Sequence, residues 1–436
     1  MKIAIIGLGF VGLSFAAVLG SKGYSVLGID SDKKKISKIG SGKSLFYEPK
    51  LDETLKSALK KSLKVSSDID LAVRQCDMVF VTVGTPESKE GYIDLTMMKQ
   101  VVKEIGISLS KTNNKPVIVI KSTVVPRTTQ DVVKPILEKN SRKKVGIGFG
   151  IAMNPEFLRE GTAIYDTLNP HIVVIGSDDV VSANRVKKFY DELYKRKTQI
   201  IITNYQTAEL IKYANNSFLA TKISFINQIA NICQSMPGTN IDDVAEVIGL
   251  DPRIGSLFLK AGPGYGGSCF PKDMKTMIAF SKKVGTDPVL LEAVQQTNTL
   301  QVNKIISLMK NMIGKFDGKK ITILGLSFKE DSDDIRESVS IKLIRLLLRE
   351  NAAITVHDPK AIENTKTIFK AKIRYSDSIR DALKDSQCAI IMTPWKQYKN
   401  LPNNDFQKMK RKFVIDTRRI LKHENLAIKY NALGIG

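Results

Sequence analysis

Cysteine is scarce in this chain: Cys76, Cys233, Cys269 and Cys388 are the only four in 436 residues, far apart and in no C-x-x-C spacing. In a chain this long, that pattern excludes a disulfide framework and argues against a zinc ribbon, so a reduced, cytosolic protein is expected. Histidine is scarcer still. His171, His357 and His423 stand at no ligand spacing from one another, and no metal centre is expected. Long apolar runs are also missing. The one stretch that approaches a membrane span, 3–20, is broken by Gly7, Gly9 and Gly12. No other run nears the ~20 residues that a span needs, so no membrane association is expected. Acidic residues are outnumbered, 44 Asp and Glu against 67 Lys and Arg, a net charge of +23. Such an excess favours ligands that carry phosphate. With no basic stretch interleaved with aromatics and no recognisable binding module, a nucleic-acid partner is not expected.

What is present is a chain long and apolar enough for two or three packed cores, with 43% hydrophobic residues. Short apolar runs alternate with amphipathic stretches up to about residue 200. Strands are predicted at 2–6, 25–29, 78–83, 117–120, 145–152 and 172–175. Several are apolar at every position, as parallel strands covered on both faces must be. Over 207–235, Leu210, Ile211, Ala214, Phe218, Leu219, Ile223, Ile226, Ile229 and Ala230 recur at helical spacing, and 289–312 reads as a second long helix. From about 316 the alternation returns, with strands at 320–324, 353–357, 388–392 and 413–415 and a helix through 340–349. The fold class predicted is α/β: two Rossmann-type doubly wound domains, 1–200 and 313–436, joined by a central long-helix connector, 201–312. The lysine-rich patches near residues 33–35 and 56–64 read as solvated helix faces.

Gly7-Leu8-Gly9-Phe10-Val11-Gly12 lies between a predicted strand and a predicted helix, and Asp30 ends the next strand. The first glycine permits the tight turn, the second lets backbone approach a pyrophosphate, and the third lets the helix pack on the strand. Asp30 suits a ribose diol and would repel a 2′-phosphate, which favours NAD over NADP. Lys33, Lys34 and Lys35 pull the other way. The corresponding turn of the second unit, Gly325-Leu326-Ser327-Phe328, lacks the full glycine set, so its ligand need not be a dinucleotide.

A second motif is stranger. Gly262-Pro263-Gly264-Tyr265-Gly266-Gly267-Ser268-Cys269-Phe270-Pro271-Lys272-Asp273 gathers glycines around one cysteine and follows it with a cation and an anion. Such a loop can wrap a ligand, and Lys272 or a helix N-terminus would favour a thiolate. Cys269 is therefore the candidate nucleophile. Cys76, Cys233 and Cys388 sit in apolar patterns and read as core.

With these residues in place the chain resembles the UDP-glucose/GDP-mannose dehydrogenase family over nearly its whole length. The resemblance rests on the N-terminal fingerprint, Lys121-Ser122-Thr123-Val124, NPEFLREG at 154–161, KYANNSFLATKISFIN at 212–227, GPGYGGSCFPKD at 262–273 and GLSFKEDSDDIRES at 325–338. It implies an NAD-dependent, four-electron oxidation of the C6 alcohol of a nucleotide sugar, with the intermediate aldehyde held on a cysteine. Cys269 then matches the nucleophile, and Asp273 the aspartate that assists proton transfer. Lys212 and Asn216, one helical turn apart, match the groups that stabilise the oxyanion or move its proton, and Glu156 matches the base of thioester hydrolysis. For the cofactor the family pattern adds Thr85, Thr123, Glu160, Lys272 and Arg336 to Gly7, Gly9, Phe10, Val11, Gly12 and Asp30. For the nucleotide sugar it points to Phe157, Leu158, Arg159, Phe258, Leu259, Lys260, Tyr265, Gly266, Lys329 and Arg418, and to Arg253 reaching across a subunit interface of a homodimer. The GGSCFPKD loop and the NNSFLATKISFIN helix look most like the UDP-glucose branch; GDP-mannose, UDP-N-acetylmannosamine and UDP-N-acetylglucosamine are the alternatives. Two positions depart from the pattern: Arg127 and Thr417 stand where the family usually has glycine.

Overall fold

The computed structural model describes residues 1–88 and 91–436. The chain folds as two compact units, Met1–Asn215 and Asn216–Gly436. The first is built on an eight-stranded sheet of β1 Lys2–Ile6, β2 Ser25–Ile29, β3 Leu63–Ser66, β4 Met78–Val81, β5 Val117–Ile120, β6 Gly150–Met153, β7 Ile172–Gly176 and β8 Gln199–Thr203. Its order is β3-β2-β1-β4-β5-β6-β7-β8. Every neighbouring pair is parallel except β6 with β7. The central strands β4, β5 and β6 are buried at every position. Helices cover both faces of such a sheet, which is why these strands show no apolar–polar alternation. The core splits accordingly, with Phe15, Phe80 and Phe189 in one layer and Val79, Ile118 and Met153 in the other.

The expected strand over 145–152 is displaced. The ladder runs over Gly150–Met153, and Val145 makes only an isolated bridge to Phe149. Phe149 is buried in the core while Ile147 is 72% exposed, a distinction that hydrophobicity alone does not carry.

The second unit carries a six-stranded parallel sheet of β9 Lys320–Leu324, β10 Ala353–His357, β11 Arg374–Tyr375, β12 Cys388–Ile391, β13 Phe413–Asp416 and β14 Lys429–Ala432, in the order β11-β10-β9-β12-β13-β14. Both sheets thus have the doubly wound architecture, with the strand order reversing beside β1 in one and beside β9 in the other. In open α/β sheets ligands bind at that reversal, beyond the carboxyl ends of the strands. A long helix, Tyr205–Cys233, begins in the first unit and continues into the second, where the helices Phe270–Lys283 and Val289–Ile313 follow. No helix of the described residues is long and apolar enough to cross a membrane.

Candidate active site

The first unit holds the dinucleotide turn in the geometry its sequence requires. Gly7 has φ +96°, its N–H donates to Ile29 O at 2.8 Å, and a Cβ on Gly12 would lie 2.0 Å from Gly7 O. Only glycine fits there. At Gly9 a Cβ would meet nothing within 4 Å, so that backbone stands open to a ligand at the N-terminus of the helix Phe10–Ser21. Asp30, 9% exposed, follows β2; its Oδ2 accepts from Leu8 N at 3.0 Å and its Oδ1 from Asp32 N at 3.0 Å. The carboxylate is therefore fixed in place, and a carboxylate has lone pairs beyond these two bonds for a ribose diol. Past the ends of β4 and β5, Thr85 Oγ1 donates to Thr123 O at 2.8 Å, which joins two of the expected cofactor residues.

Deeper in this unit, Lys212 and Glu156 form a buried ion pair, Nζ to Oε1 3.1 Å, with side chains 4% and 7% exposed. The other carboxylate oxygen accepts from Leu158 N at 2.6 Å, and the Lys212 ammonium lies 5.3 Å from the centre of the Phe157 ring. Sequence reasoning gave Lys212 and Glu156 separate roles; the fold makes them partners. Arg159 is turned to Asp166 instead, with Nη2 to Oδ1 2.6 Å and Nε to Oδ2 3.0 Å. Glu160 is half-buried. Arg127, one of the two departures from the family pattern, adopts φ +76°, the left-handed conformation that a glycine takes without strain. Its guanidinium pairs with Asp131 at 2.7 Å.

The second unit holds the cysteine loop. Cys269 is half-buried at the N-cap of the helix Phe270–Lys283, where the helix dipole favours an anion, and Ser268 Oγ lies 3.5 Å from its Sγ. In the first turn of that helix, Asp273 is 1% exposed; its Oδ2 accepts from Asn216 Nδ2 at 2.7 Å and its Oδ1 from Lys272 Nζ at 2.7 Å. The cation expected to act on the thiol is thus paired with the neighbouring carboxylate. Cys76 and Cys388 are buried thiols that burial pushes up to about 11 and about 12, the behaviour of core residues.

The loop before Cys269 is braced by amides that the sequence did not flag. Asn227 Oδ1 accepts from Gly262 N at 2.8 Å, and Gln301 Nε2 donates to Gly262 O at 2.9 Å. Asn298 closes a two-bond ring on the Tyr265 backbone, at 2.8 and 3.0 Å. Gly267, at φ +83°, packs against the Phe328 ring, which a Cβ would meet at 2.7 Å. Leu259 and Tyr265 are buried, Phe258 and Lys329 half-buried, and Lys260 exposed; a Cβ on Gly266 would meet Glu337 O. Arg418 lies over Gly262, where a Cβ would come within 2.9 Å of its Nη1, and its Nε donates to Met392 O at 2.9 Å. Burial, reinforced by Arg419, brings its guanidinium down to about 10. Thr417, the other departure, is fully buried with its hydroxyl bonded to Ile391 O at 2.7 Å, while Arg419 is tied to Asp242, Leu433 O and Ala261 O. Arg253 and Arg336 are exposed and each chelates the aspartate two residues before it, Asp251 and Asp334.

At the head of the second sheet the first turn recurs with one change. Gly325 N donates to His357 O at 2.8 Å and Leu326 N to Asp358 Oδ2 at 2.7 Å, as Gly7 and Leu8 do with Ile29 and Asp30. Here, however, the same Oδ2 also accepts from Ser327 N at 3.2 Å and Trp395 Nε1 at 3.1 Å, and Asp358 is 3% exposed. A carboxylate used this way has little left for a ribose.

Three family models match in order: the NAD binding domain of the UDP-glucose/GDP-mannose dehydrogenase family over residues 1–194, its central domain over 206–300 and its UDP binding domain over 322–423. The chain belongs to that family. It is 40% identical to the UDP-glucose 6-dehydrogenase AglM of Haloferax volcanii, over 97% of each chain. Among solved structures it is similar to a UDP-glucose dehydrogenase from Pyrobaculum islandicum, with TM-score 0.92 and 33% identity over 100% of this chain and 98% of that one. It is also similar to a UDP-D-ManNAc dehydrogenase from Pyrococcus horikoshii, with TM-score 0.86 and 26% identity over 100% and 99%. As a member of the UDP-glucose/GDP-mannose dehydrogenase family the protein is an oxidoreductase that acts on a nucleotide sugar, and NAD is its cofactor. The open backbone at Gly9, the packed Gly12 and the fixed Asp30 carboxylate fit that cofactor.

Proposed function

We propose that the protein oxidises the C6 alcohol of UDP-glucose to the carboxylate of UDP-glucuronate, consuming two NAD⁺ and one water, through a covalent intermediate on Cys269. NAD⁺ supplies the hydride acceptor for each oxidation. In the first oxidation the C6 hydroxyl gives up its proton as C6 loses a hydride. Lys212 and Asn216, on successive turns of the Tyr205–Cys233 helix, hold the developing oxyanion or take its proton. The Cys269 thiolate then adds to the aldehyde carbon to give a thiohemiacetal, a second hydride leaves C6, and a thioester remains. Water, activated by Glu156 with Asp273 assisting, cleaves the thioester to the acid and returns the thiol.

The observation that carries this reading is the position of Cys269: half-buried at a helix N-cap, in a loop braced by Asn227, Asn298 and Gln301, four residues before a buried Asp273 that Asn216 holds. A core cysteine needs none of this apparatus. On the same reading Arg418, over the glycine loop, meets the phosphate or sugar. Phe157, Leu158, Arg159, Phe258, Leu259, Lys260, Tyr265, Gly266 and Lys329 line the sugar nucleotide, and Thr85, Thr123, Glu160, Lys272 and Arg336 attend the cofactor. UDP-glucose is favoured by the names of the relatives at 40% and 33% identity. The likeness to a UDP-D-ManNAc dehydrogenase makes that sugar the first competitor.

A homodimer belongs to the same reading. Phe218, Phe225 and Ile232, 66%, 53% and 48% exposed, recur every seven residues along one helix, an apolar stripe that a second copy would cover, and on this reading Arg253 reaches across that interface. Four cysteines far apart in the sequence, in no C-x-x-C spacing, suit a cytosolic setting.

Purified protein supplied with NAD⁺ and, in turn, UDP-glucose, UDP-N-acetylmannosamine, UDP-N-acetylglucosamine and GDP-mannose tests the assignment. Two NADH per UDP-glucose consumed are expected; turnover of another sugar in preference would move the substrate and leave the chemistry, and one NADH would stop the reaction at the aldehyde. Cys269→Ser is expected to lose uronate formation and keep NAD⁺ binding. Undiminished uronate formation in that variant would remove the covalent route.

A further inference from the structure

A second buried lysine lies beside the Lys212–Glu156 pair, and the chemistry above makes no use of it. Lys121 follows β5 and is 7% exposed. Its Nζ donates to Asn154 Oδ1 at 2.9 Å and lies 5.2 Å and 6.0 Å from the ring centres of Phe15 and Tyr190. Asn154 is held on three further sides: its N–H donates to Ile120 O at 2.8 Å, its Nδ2 to Val174 O at 2.8 Å, and Tyr190 OH donates to the same Oδ1 that Lys121 uses. Two residues on, the same turn carries Glu156, which pairs with Lys212.

Taking an ammonium out of water costs several kcal/mol unless other charges compensate. Around Lys121 the compensation is partial. Burial brings its ammonium down to about 8, Glu156 pulls it back up, and Lys212 pushes it further down. The remaining titratable neighbour, the Tyr190 phenol, is pushed well above its ordinary value by burial and stays neutral. Glu156 thus acts on two lysines, Lys212 as its ion-pair partner and Lys121 through its field. If Asn154 needed only an anchor, a neutral donor would supply it without the cost of a buried charge. The charge itself has a consequence for Lys212, since a like charge nearby weakens the hold of an amine on its proton.

We propose that Lys121 is a positioning residue for the Glu156–Lys212 pair: through Asn154 it locks the turn that aims Glu156, and its charge opposes the ammonium of Lys212. This rests on the reading of Lys212 as the group that meets the reacting oxygen. Removing a buried cation raises the proton affinity of every group around it, so the pH profile of turnover moves in one direction whichever protonation state of Lys212 is the active one.

Two neutral variants test this in the full-length protein. Lys121→Gln keeps a donor for Asn154, and Lys121→Met keeps the length of the side chain between Phe15 and Tyr190. Both are expected to shift the limb of the kcat–pH profile upward by about one pH unit, with KM for the nucleotide sugar within about twofold. Gln should restore more of the rate than Met without restoring the profile. A folded Lys121→Gln with an unshifted profile would overturn the proposal, as would failure of both variants to fold, which would make the lysine purely structural. Lys212→Ala, run in parallel, separates the two levels: lost turnover there with an unshifted Lys121→Gln profile defeats this proposal alone, whereas retained turnover defeats the reading of the site on which it stands.

Discussion

Glu209 offers the sharpest thermodynamic test of the first unit. It lies three residues before Lys212 on the Tyr205–Cys233 helix and is fully buried. Its Oε1 accepts from Thr129 N at 2.7 Å, where the chain enters the π-helical turn Thr129–Val133, and its Oε2 has no partner among the described residues. Burial pushes the carboxyl from 4.5 up to about 7; bonds from Thr129 and the Arg127 backbone oppose this and Asp131 adds to it. With the folded value above the unfolded one, the stabilisation is complete below the ordinary carboxylate value and is lost as pH rises through about 7. At ~1.4 kcal/mol per tenfold change in proton affinity, burial of this carboxyl takes about 3 kcal/mol from stability at pH 8.5, where it ionises in the fold, and about 1 kcal/mol at pH 5.5, where only the unfolded chain releases the proton. Glu209→Gln keeps the acceptor for Thr129 N and cannot ionise, but it buries an amide donor, at a cost of about 1 kcal/mol. The variant is therefore expected to be more stable than the parent by about 2 kcal/mol at pH 8.5 and equal to it at pH 5.5. In a unit of this size that is a gain of about 4–8 °C in Tm at the higher pH alone. Scanning calorimetry at the two pH values measures it. A gain of equal size at both, or a loss at both, would refute the assignment of a buried, proton-seeking carboxylate.

Other predictions draw on separate parts of the molecule. Gly12→Ala puts a methyl 2.0 Å from Gly7 O and 2.5 Å from Thr82 Oγ1, and calorimetric titration should show NAD⁺ affinity falling at least about tenfold; an unchanged Kd would mean the turn is not the cofactor cradle. Arg418→Leu should weaken UDP-sugar binding and leave NAD⁺ affinity intact, with equal loss of both pointing instead to misfolding of the second unit. Phe218→Ser combined with Phe225→Ser should give a monomer by light scattering, and an unchanged mass would place any interface elsewhere.

Strands buried on both faces were legible because their sequences admit nothing else. Lys2–Ile6, Ser25–Ile29 and Val117–Ile120 stand where continuous apolar runs put them. The edge strand Lys429–Ala432 was not legible: only Ala432 is buried, and its residues, Lys-Tyr-Asn-Ala, carry no strand pattern. Of the candidate site, Cys269, Asp273, Asn216, Lys272, Lys212 and Glu156 announced themselves through motifs, but the amides that brace the cysteine loop did not. Asn227, Asn298 and Gln301 are amides on long helices, which read as solvated faces until the fold brings a loop backbone against them. The turn Thr129–Val133 likewise depends on Glu209, 80 residues away in sequence. Local composition holds no trace of an acceptor supplied by a distant helix. One signal was present and went unread: Asp251-Pro252-Arg253 and Asp334-Ile335-Arg336 each place an acid two residues before an arginine, and both pairs close as chelates.

The indole that closes off Asp358 belongs to the only tryptophan in the chain. Tryptophan emission therefore originates in the second unit alone, and its quenching or wavelength shift follows events beside Asp358, past the end of β10. A melt recorded by tryptophan fluorescence and one recorded by heat absorption need not coincide for this molecule. Their disagreement would itself show how independently the two halves come apart.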